Sequence, residues 1–270
     1  MKKLQLVLII LILLGIFQLA ISKPTFPENS IELSQGTLTY NEFNSNSDKT
    51  IILIHGSPGS KEDFKLLAPQ IQGYKIYALD MYGFGDSEKY VENYGIKEQA
   101  KVVAEFMQAK KIDKATILGY SWGGGVAIEF AYLFPEKTSS LVLLDSMGIQ
   151  EGEATSSYLG EHARYTISYP FVVFYPGVFI KNIDWRNGFM RSFMDTDQRE
   201  IRAMLSEIKA KTLILHGNSD SVIEPWVAEE HNKLIPNSKL IYFSGGHGKI
   251  FSNTDEIAEK LQEFLNENDE

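Results

Sequence analysis

A serine flanked by glycines is the part of this sequence with the clearest capacity for chemistry. Gly119-Tyr120-Ser121-Trp122-Gly123 has the form G-x-S-x-G; it follows an apolar run, Ala115–Leu118, that predicts a strand, and it opens a helical pattern. A sharp turn from strand to helix lifts the serine hydroxyl clear of the carboxyl end of the strand. The pattern therefore predicts Ser121 as a nucleophile, and the alternative is a glycine-rich turn with an incidental serine.

A serine hydroxyl is a weak nucleophile at neutral pH, so it needs a base, and the base needs a partner that orients it. His247 stands in the loop after the predicted strand Lys239–Phe243, and Asp220 stands in the loop after the predicted strand Thr212–Leu215. Loops at the carboxyl ends of parallel strands share one edge of a sheet, where open α/β sheets bind ligands. We therefore expect His247 to act as the base and Asp220 to orient it.

A second aspartate is the alternative acid. Asp145 directly follows the predicted strand Leu141–Leu144, so its side chain is expected at the same edge of the sheet. The sequence His216-Gly217-Asn218-Ser219-Asp220 places Asp220 in a turn close behind its strand, and this setting favours Asp220 over Asp145.

An acyl-transfer site also needs donors for the negative oxygen of its intermediate. The segment His55-Gly56-Ser57-Pro58-Gly59 follows the predicted strand Thr50–Ile54, and its loop can direct the backbone N–H of Ser57 at the site. The backbone N–H of Trp122 is the expected second donor. His55 is expected to brace this loop through hydrogen bonds, with service as a second base as the alternative.

The elements that must position these residues alternate along the chain. Most predicted strands are continuous β-branched or leucine runs, which is typical of strands buried on both faces of a parallel sheet. The alternation predicts an α/β fold with a doubly wound, mostly parallel sheet. The predicted strands are Leu38–Phe43, Thr50–Ile54, Lys75–Leu79, Ala115–Leu118, Leu141–Leu144, Thr212–Leu215 and Lys239–Phe243; the predicted helices are Ile96–Lys110, Trp122–Phe134, Pro225–Leu234 and Thr254–Asn266.

One stretch interrupts this alternation. Residues 148–206 contain no clear strand and are rich in aromatic side chains, so we interpret them as a helical insertion carried on the sheet. Residues 30–147 and 207–270 then form the core. The aromatic residues of the insertion are Tyr158, Tyr165, Tyr169, Phe171, Phe174, Tyr175, Phe179, Trp185, Phe189 and Phe193.

The N-terminus predicts an export or anchoring segment. Lys2 and Lys3 precede an apolar run, Leu4–Ile21, whose helical length of about 27 Å is close to the ~30 Å hydrocarbon core of a bilayer. Residues 1–22 are therefore a cleaved signal peptide or a membrane anchor, and residues 23–29 are a proline-containing linker. The basic start favours an inside N-terminus, so either interpretation predicts a body outside the cytoplasm, with membrane association through residues 4–21.

Composition excludes several classes of function. The net charge is -9 and Lys and Arg are not clustered, so the sequence predicts no basic surface that would bind nucleic acid. The absence of cysteine excludes thiolate catalysis, disulfides and cysteine metal sites. The five histidines show no paired metal-ligand spacing, and no nucleotide-binding glycine motif occurs, so neither a metal nor a cofactor is expected.

Four motifs in order resemble the α/β-hydrolase family over most of residues 36–265. They are HGSPG at 55–59, the segment Asp80–Ser87, the serine turn at 119–123, and the pair Asp220 and His247. Within the family the chain is most similar to the capped group of esterases, prolyl iminopeptidases, epoxide hydrolases and haloalkane dehalogenases. The resemblance implies that residues 148–206 are a cap whose aromatic side chains line the acyl or leaving-group pocket.

Departures from that group narrow the expected reaction. Related epoxide hydrolases and dehalogenases carry an aspartate where this chain has Ser121. Prolyl iminopeptidases carry HGGPG where this chain has Ser57, and they need acidic cap residues, for which Glu151, Glu153 and Glu161 are candidates. We therefore expect a serine hydrolase that cleaves a small carboxylic ester through an acyl-enzyme; the alternatives are a proline-type aminopeptidase and a non-catalytic ligand-binding protein on the same fold.

Overall fold

Eight strands form one sheet in the order β1-β2-β4-β3-β5-β6-β7-β8. The computed structural model describes residues 28–44, 46–152, 156–174 and 183–267. The six strands β3 to β8 run parallel to one another, whereas β2 is antiparallel to both of its neighbours, β1 and β4. The strands are β1 Glu28–Leu33, β2 Gly36–Phe43, β3 Thr50–Ile54, β4 Lys75–Leu79, β5 Ala115–Tyr120, β6 Thr138–Leu144, β7 Lys211–Gly217 and β8 Ser238–Phe243.

The first strand is the element that the sequence did not reveal. All seven predicted strands are present, but β1 begins at Glu28, inside the stretch predicted as a linker over residues 23–29. Its sequence, ENSIEL, is mostly polar because it is an edge strand, and it forms by pairing with β2 rather than by burying an apolar run of its own. Residues 1–22 and the start of that linker lie outside the described residues; within those that are described, no helix has both the length and the apolarity to cross a bilayer.

Helices cover both faces of the sheet. The four predicted helices are present, with ends that differ from the predicted ones by at most one residue. In the inserted stretch the described residues form three further helices and no strand. The helices are α1 Ile96–Lys110, α2 Trp122–Leu133, α3 Tyr158–Phe174, α4 Ile183–Met194, α5 Ile201–Leu205, α6 Pro225–Leu234 and α7 Asp255–Glu267.

The core consists of two apolar layers separated by the sheet. In β3 the alternation of side chains divides Ile52 and Ile54 from Ile51 and Leu53, so that each pair packs into a different layer. All four of these side chains are fully buried, and burying a side chain of this size is worth about 1.5–3 kcal/mol. This two-sided burial fixes the strands and therefore the loops at their carboxyl ends.

The inserted helices α3 and α4 have an apolar cluster of their own. Tyr165, Val173 and Met190 are buried against one another, apart from the two layers of the sheet. Helices α3 and α4 therefore share a small core of their own, whereas Ile201 and Leu205 of α5 pack into one apolar layer of the sheet. The exact boundaries of the inserted stretch as a cap stay a prediction.

Candidate active site

The turn between β5 and α2 holds Ser121 in a strained backbone conformation. Its φ of 54° and ψ of -121° lie in a region that residues with side chains rarely adopt. A Cβ on Gly119 would lie 2.2 Å from the Gly123 carbonyl oxygen, and a Cβ on Gly123 would lie 2.3 Å from the carbonyl oxygen of Ile54. The two glycines are thus required by close backbone contact, as the sequence pattern predicts, and the turn projects the hydroxyl of Ser121 from the sheet edge.

The structure brings the three predicted side chains together in one hydrogen-bonded chain. His247 Nε2 lies 3.0 Å from Ser121 Oγ, and His247 Nδ1 lies 2.7 Å from Asp220 Oδ2. An ionised carboxylate only accepts, so the Nδ1 atom carries the proton and the lone pair of Nε2 faces the serine hydroxyl. Tyr120 donates from its hydroxyl to the carbonyl oxygen of His247 at 2.7 Å, which fixes the histidine loop against the serine turn.

Hydrogen bonds keep Asp220 ionised. Its Oδ1 atom accepts from the N–H groups of Val222 and Ile223, at 2.8 and 3.0 Å. Burial alone would raise the pKa of this carboxyl, but the bonds from His247 and from the two N–H groups outweigh burial and hold the pKa below its ordinary value. Asp220 is therefore a carboxylate at neutral pH.

Asp145, the alternative acid, has different contacts. Its Oδ1 atom accepts from the N–H of Gly217 at 2.8 Å, and its Oδ2 atom has no hydrogen-bond partner among the described residues. Burial raises the pKa of this carboxyl to about 7. His247 therefore donates its Nδ1–H to Asp220 and not to Asp145.

Two backbone N–H groups are available beside the nucleophile. Across the described ranges, the N–H groups of Ser57 and Trp122 have no hydrogen-bond acceptor. A Cβ on Gly56 would lie 3.0 Å from the Cβ of Ser121, so the loop that carries Ser57 abuts the serine turn. Both residues proposed from the sequence as oxyanion donors thus flank Ser121.

His55 braces this loop. Its Nδ1 atom lies 2.7 Å from the carbonyl oxygen of Gly56, and its Nε2 atom accepts from the N–H of Met81 at 3.0 Å. Complete burial lowers the pKa of the imidazole, which keeps it neutral. Both ring nitrogens are therefore committed to backbone groups, and none is left to act as a second base.

A buried ion pair that the sequence did not reveal supports the other end of the loop. Lys61 donates to Asp80 twice, from its backbone N–H and from its Nζ atom, each at 2.6 Å, and Nζ also reaches Asp86 at 2.8 Å. Burial opposes ionisation of Asp80, but the Lys61 charge holds the pKa of its carboxyl below the ordinary range. The motif at Asp80–Ser87 was visible in the sequence; its lysine partner, 19 residues earlier, had no local signal.

A cavity of about 600 Å³ opens onto Ser121 and His247. Two cap aromatics line it, Tyr165 and Phe193, which stack with ring centroids 5.0 Å apart. Phe171 and Phe174 instead face solvent, and Tyr175 and Phe179 lie outside the described residues. The apolar side chains of the lining are Met147, Tyr165, Phe193, Val222, Ile223 and Trp226.

Asp145, His216 and Asp220 form a group that could hold a metal ion by residue type and spacing, since one donor atom from each lies within 4.8 Å of the others. Each of the three residues already has a protein partner, and Asp145 Oδ2 is the one carboxylate oxygen of the group without one among the described residues. Asp220 is bonded to His247, and the Nε2 atom of His216 lies 2.9 Å from the carbonyl oxygen of Ile223. We therefore assign no ion to this group.

Comparison with known proteins gives relatives over nearly the whole chain. Lipase 1 of Psychrobacter immobilis is 26% identical over 276 residues, which cover 92% of this chain and 87% of the relative. Lipase 3 of Moraxella sp. (strain TA144) is 27% identical over 276 residues, which cover 92% of this chain and 88% of the relative. The crystal structure of a membrane phospholipase A, described as a bacterial virulence factor, superposes with a TM-score of 0.72 at 25% identity and covers 99% of both chains.

A sequence model of the alpha/beta hydrolase fold matches residues 49–194, which is more than half of the chain. The matched residues include the loop at 55–59, the serine turn and most of the inserted helices. Together with the parallel sheet and with relatives that are lipases, this match shows that the chain belongs to the alpha/beta hydrolase fold family and is a hydrolase.

Proposed function

We propose that this protein is a serine hydrolase that cleaves carboxylic esters through an acyl-enzyme. The observation that carries the proposal is the unbroken chain of hydrogen bonds from Ser121 through His247 to Asp220, at the wall of a cavity beside two free N–H groups. Nucleophile, base, orienting acid and oxyanion donors are the four components that acyl transfer requires.

The mechanism begins with attack of Ser121 Oγ on the substrate carbonyl carbon. His247 Nε2 takes the hydroxyl proton as the bond forms and then gives it to the leaving alcohol as the carbon–oxygen bond breaks. Asp220 stays ionised and balances the imidazolium charge, while the N–H groups of Ser57 and Trp122 bind the oxyanion. Water then attacks the acyl-enzyme with His247 as base, which releases the acid and restores Ser121.

The lining of the cavity and the relatives support an ester with an apolar acyl chain. Six apolar side chains converge on the cavity, and the two relatives quoted above are lipases. A cavity of about 600 Å³ is in the range of sites that enclose small organic ligands, of roughly 300–1,000 Å³. We propose acyl groups of short to medium length.

Two exposed glutamates, Glu151 and Glu224, line the cavity and are the described acids that an aminopeptidase could use there. Glu151 lies within 3.5 Å of Arg202, and Glu224 accepts from the indole N–H of Trp226 at 3.0 Å. Each of them therefore already has a partner.

The other two candidate acids give no further support. Glu161 is paired with Arg164 at 3.1 Å, and Glu153 lies outside the described residues. We therefore prefer the ester to a substrate with a free amino group.

The experiment is turnover of p-nitrophenyl esters over a series of acyl lengths, by the natural chain and by Ser121→Ala. We expect turnover by the natural chain and a loss of roughly 10⁴–10⁶-fold in kcat for the variant, with an unchanged melting temperature. Stoichiometric binding without turnover would favour the ligand-binding alternative, and a folded Ser121→Ala variant that keeps most of the activity would remove the serine from the mechanism.

A further inference from the structure

Ser192, in cap helix α4, contacts both residues that carry the free N–H groups. Its Oγ atom lies 2.7 Å from Ser57 Oγ, and its carbonyl oxygen accepts from the indole Nε1–H of Trp122 at 3.3 Å. The residue is fully buried, with 0% of its surface exposed. One cap residue therefore holds the side chains of Ser57 and Trp122 while their backbone N–H groups stay free.

Counting protons fixes the direction of the bond between the two serines. Ser192 Oγ donates to the carbonyl oxygen of Phe189 at 2.8 Å, and a carbonyl oxygen can only accept. A hydroxyl has one proton, so Ser192 has none left for Ser57. Ser57 must therefore donate to Ser192, and its own hydroxyl proton is not available to an oxyanion.

The carbonyl group of Ser192 is held in the same way. Thr196 donates from its hydroxyl to this carbonyl oxygen at 2.5 Å, one helical turn further along the chain. Ser192 is thus fixed at both of its polar ends by residues of the cap, Phe189 and Thr196. Its position follows the position of the cap helix and not that of the loop it contacts.

The loop that carries Ser57 is braced by His55, and the bond to Ser192 is a second support that comes from the inserted helices. Ser57 lies between Gly56 and Pro58, so the proline restricts the backbone after Ser57, whereas the glycine before it has no side chain to do so. The hydroxyl bond to Ser192 joins the loop to the cap beside Ser121. A displacement of about 1 Å at a reacting centre can cost ~10²-fold in rate, so the position of this N–H matters.

We propose that Ser192 is a positioning residue that sets the oxyanion hole, by holding Ser57 and Trp122 in place from the cap. This inference rests on the proposed serine-hydrolase function. Seating of α4 on the core then completes the site: with this helix in place the N–H of Ser57 is held beside Ser121, and without it the loop keeps its bonds through His55 but loses the side-chain contact that sets the position of Ser57.

The test uses Ser192→Ala, Ser57→Ala and the double variant in the full chain, assayed with a p-nitrophenyl ester that the natural enzyme turns over. Removing a complete oxyanion donor costs about 10²–10³ in kcat, so a displaced donor is expected to cost roughly 10–100-fold. The KM is expected to stay within about threefold, because the bound substrate has no oxyanion and the hole acts only in the transition state and the tetrahedral intermediate. Both single variants break one and the same bond, so the double variant is expected to match them and not to multiply their losses.

A matched control comes from the same cap. Ser168 on α3 also donates its hydroxyl to backbone carbonyl oxygens, those of Arg164 and Tyr165, but it has no contact with the Ser57 loop. Ser168→Ala is expected to keep kcat within about twofold. This control separates a general effect of losing a cap hydroxyl from an effect on the oxyanion hole.

A second readout isolates the oxyanion. A trifluoromethyl ketone adds to Ser121 and places a negative oxygen in the hole, so its inhibition constant is expected to weaken in proportion to the fall in kcat/KM across the variants. An ether analogue of the ester, which has no carbonyl oxygen to enter the hole, is expected to bind the natural chain and the variants equally. Loss of both affinities together would mean general damage and would overturn the inference.

The remaining outcomes also decide it. Unchanged kcat in Ser192→Ala, or losses that multiply in the double variant, would overturn the positioning role. If Ser192→Ala does not fold, Ser57→Ala alone decides, because it deletes the same bond from a partly exposed loop. Absence of turnover by the natural chain would instead defeat the proposed function itself, and this inference with it.

Discussion

Two buried aspartates lie close to His247, and their surroundings drive their pKa values in opposite directions. Asp220 accepts three hydrogen bonds that stabilise its charge, whereas Asp145 accepts one and leaves an oxygen atom without a partner. The acid of a serine triad has to be ionised to balance the imidazolium. The local environment therefore suits Asp220 to that role and leaves Asp145 largely structural.

Replacement of each aspartate by asparagine tests this assignment. Asp220→Asn keeps the shape but removes the charge and disturbs the histidine tautomer, so kcat is expected to fall by about 10³–10⁴. Asp145→Asn is the matched control, and its kcat is expected to stay within about tenfold. A larger loss in Asp145→Asn than in Asp220→Asn, measured with one ester at pH 8, would reverse the assignment.

Asp145 also makes a prediction about stability. The pKa of its carboxyl is near 4 in an unfolded chain but about 7 in the folded protein, because burial favours the protonated form. The folded protein therefore has its full stability with respect to this group below pH 4 and loses that stability as the pH rises to about 7. The free energy of unfolding of the natural chain, relative to Asp145→Asn, is therefore expected to fall over this range by at most about 4 kcal/mol. Urea unfolding at pH 5 and at pH 8 measures the upper part of this fall, at most about 3 kcal/mol, and parallel pH dependence of the two proteins would contradict it.

At the scale of elements, the turn from β5 to α2 positions Ser121, the proposed nucleophile, by close backbone contact. A Cβ on Gly123 would meet the carbonyl oxygens of Ile54 and His55 at 2.3 and 2.4 Å. Two residues further along the same helix, a Cβ on Gly125 would meet only side chains at ordinary contact distances of 3.5 Å or more. The backbone of α2 is therefore in tight contact with β3 at Gly123, whereas at Gly125 there is room for a side chain.

Alanine at each of these glycines should have opposite effects. Gly123→Ala is expected to lower the free energy of unfolding by several kcal/mol and to abolish most turnover, because β3 and α2 would have to separate. Gly125→Ala is expected to be neutral or to add up to about 1 kcal/mol, since alanine is the better helix former. Thermal unfolding and ester turnover measure both; equal tolerance of the two substitutions would argue against the tight contact at Gly123.

Elements with a local apolar signal could be predicted from the sequence, and those formed by pairing could not. The apolar patterns of the sequence predict strands β2 to β8 and the four core helices. Short motifs in the loops after these strands predict the candidate site residues. The edge strand β1 has no such signal because β2 supplies its partner. The roles of Ser192 and Lys61 could not be predicted for a similar reason. Ser192 contacts a residue 135 positions away and Lys61 contacts one 19 positions away, and neither residue lies in a motif.

At the scale of the whole molecule, a sheet buried on both faces carries every candidate catalytic loop at one edge. The core is held by two apolar layers, while the inserted helices α3 and α4 share a small cluster of their own. The site thus combines a rigid edge, which holds Ser121, Asp220 and His247, with a cap that contacts it at Ser192.

The position of this body relative to a membrane stays a prediction from residues 1–22. We propose that it lies outside the cytoplasm, because Lys2 and Lys3 precede the apolar run Leu4–Ile21. Alkaline phosphatase fused after residue 270 is expected to be active, and the same fusion without residues 1–22 is expected to be inactive. High phosphatase activity in the shortened fusion, or none in the complete one, would contradict this topology.

The central claim is that His247 makes one particular hydroxyl nucleophilic. Fluorophosphonates react with activated serines, so treatment of the folded protein followed by mass spectrometry of its peptides locates that hydroxyl directly. We expect a single adduct on Ser121, formed rapidly by the natural chain and at least ~10²-fold more slowly by His247→Ala. An adduct on another serine, or the absence of any adduct on folded protein, would contradict the account.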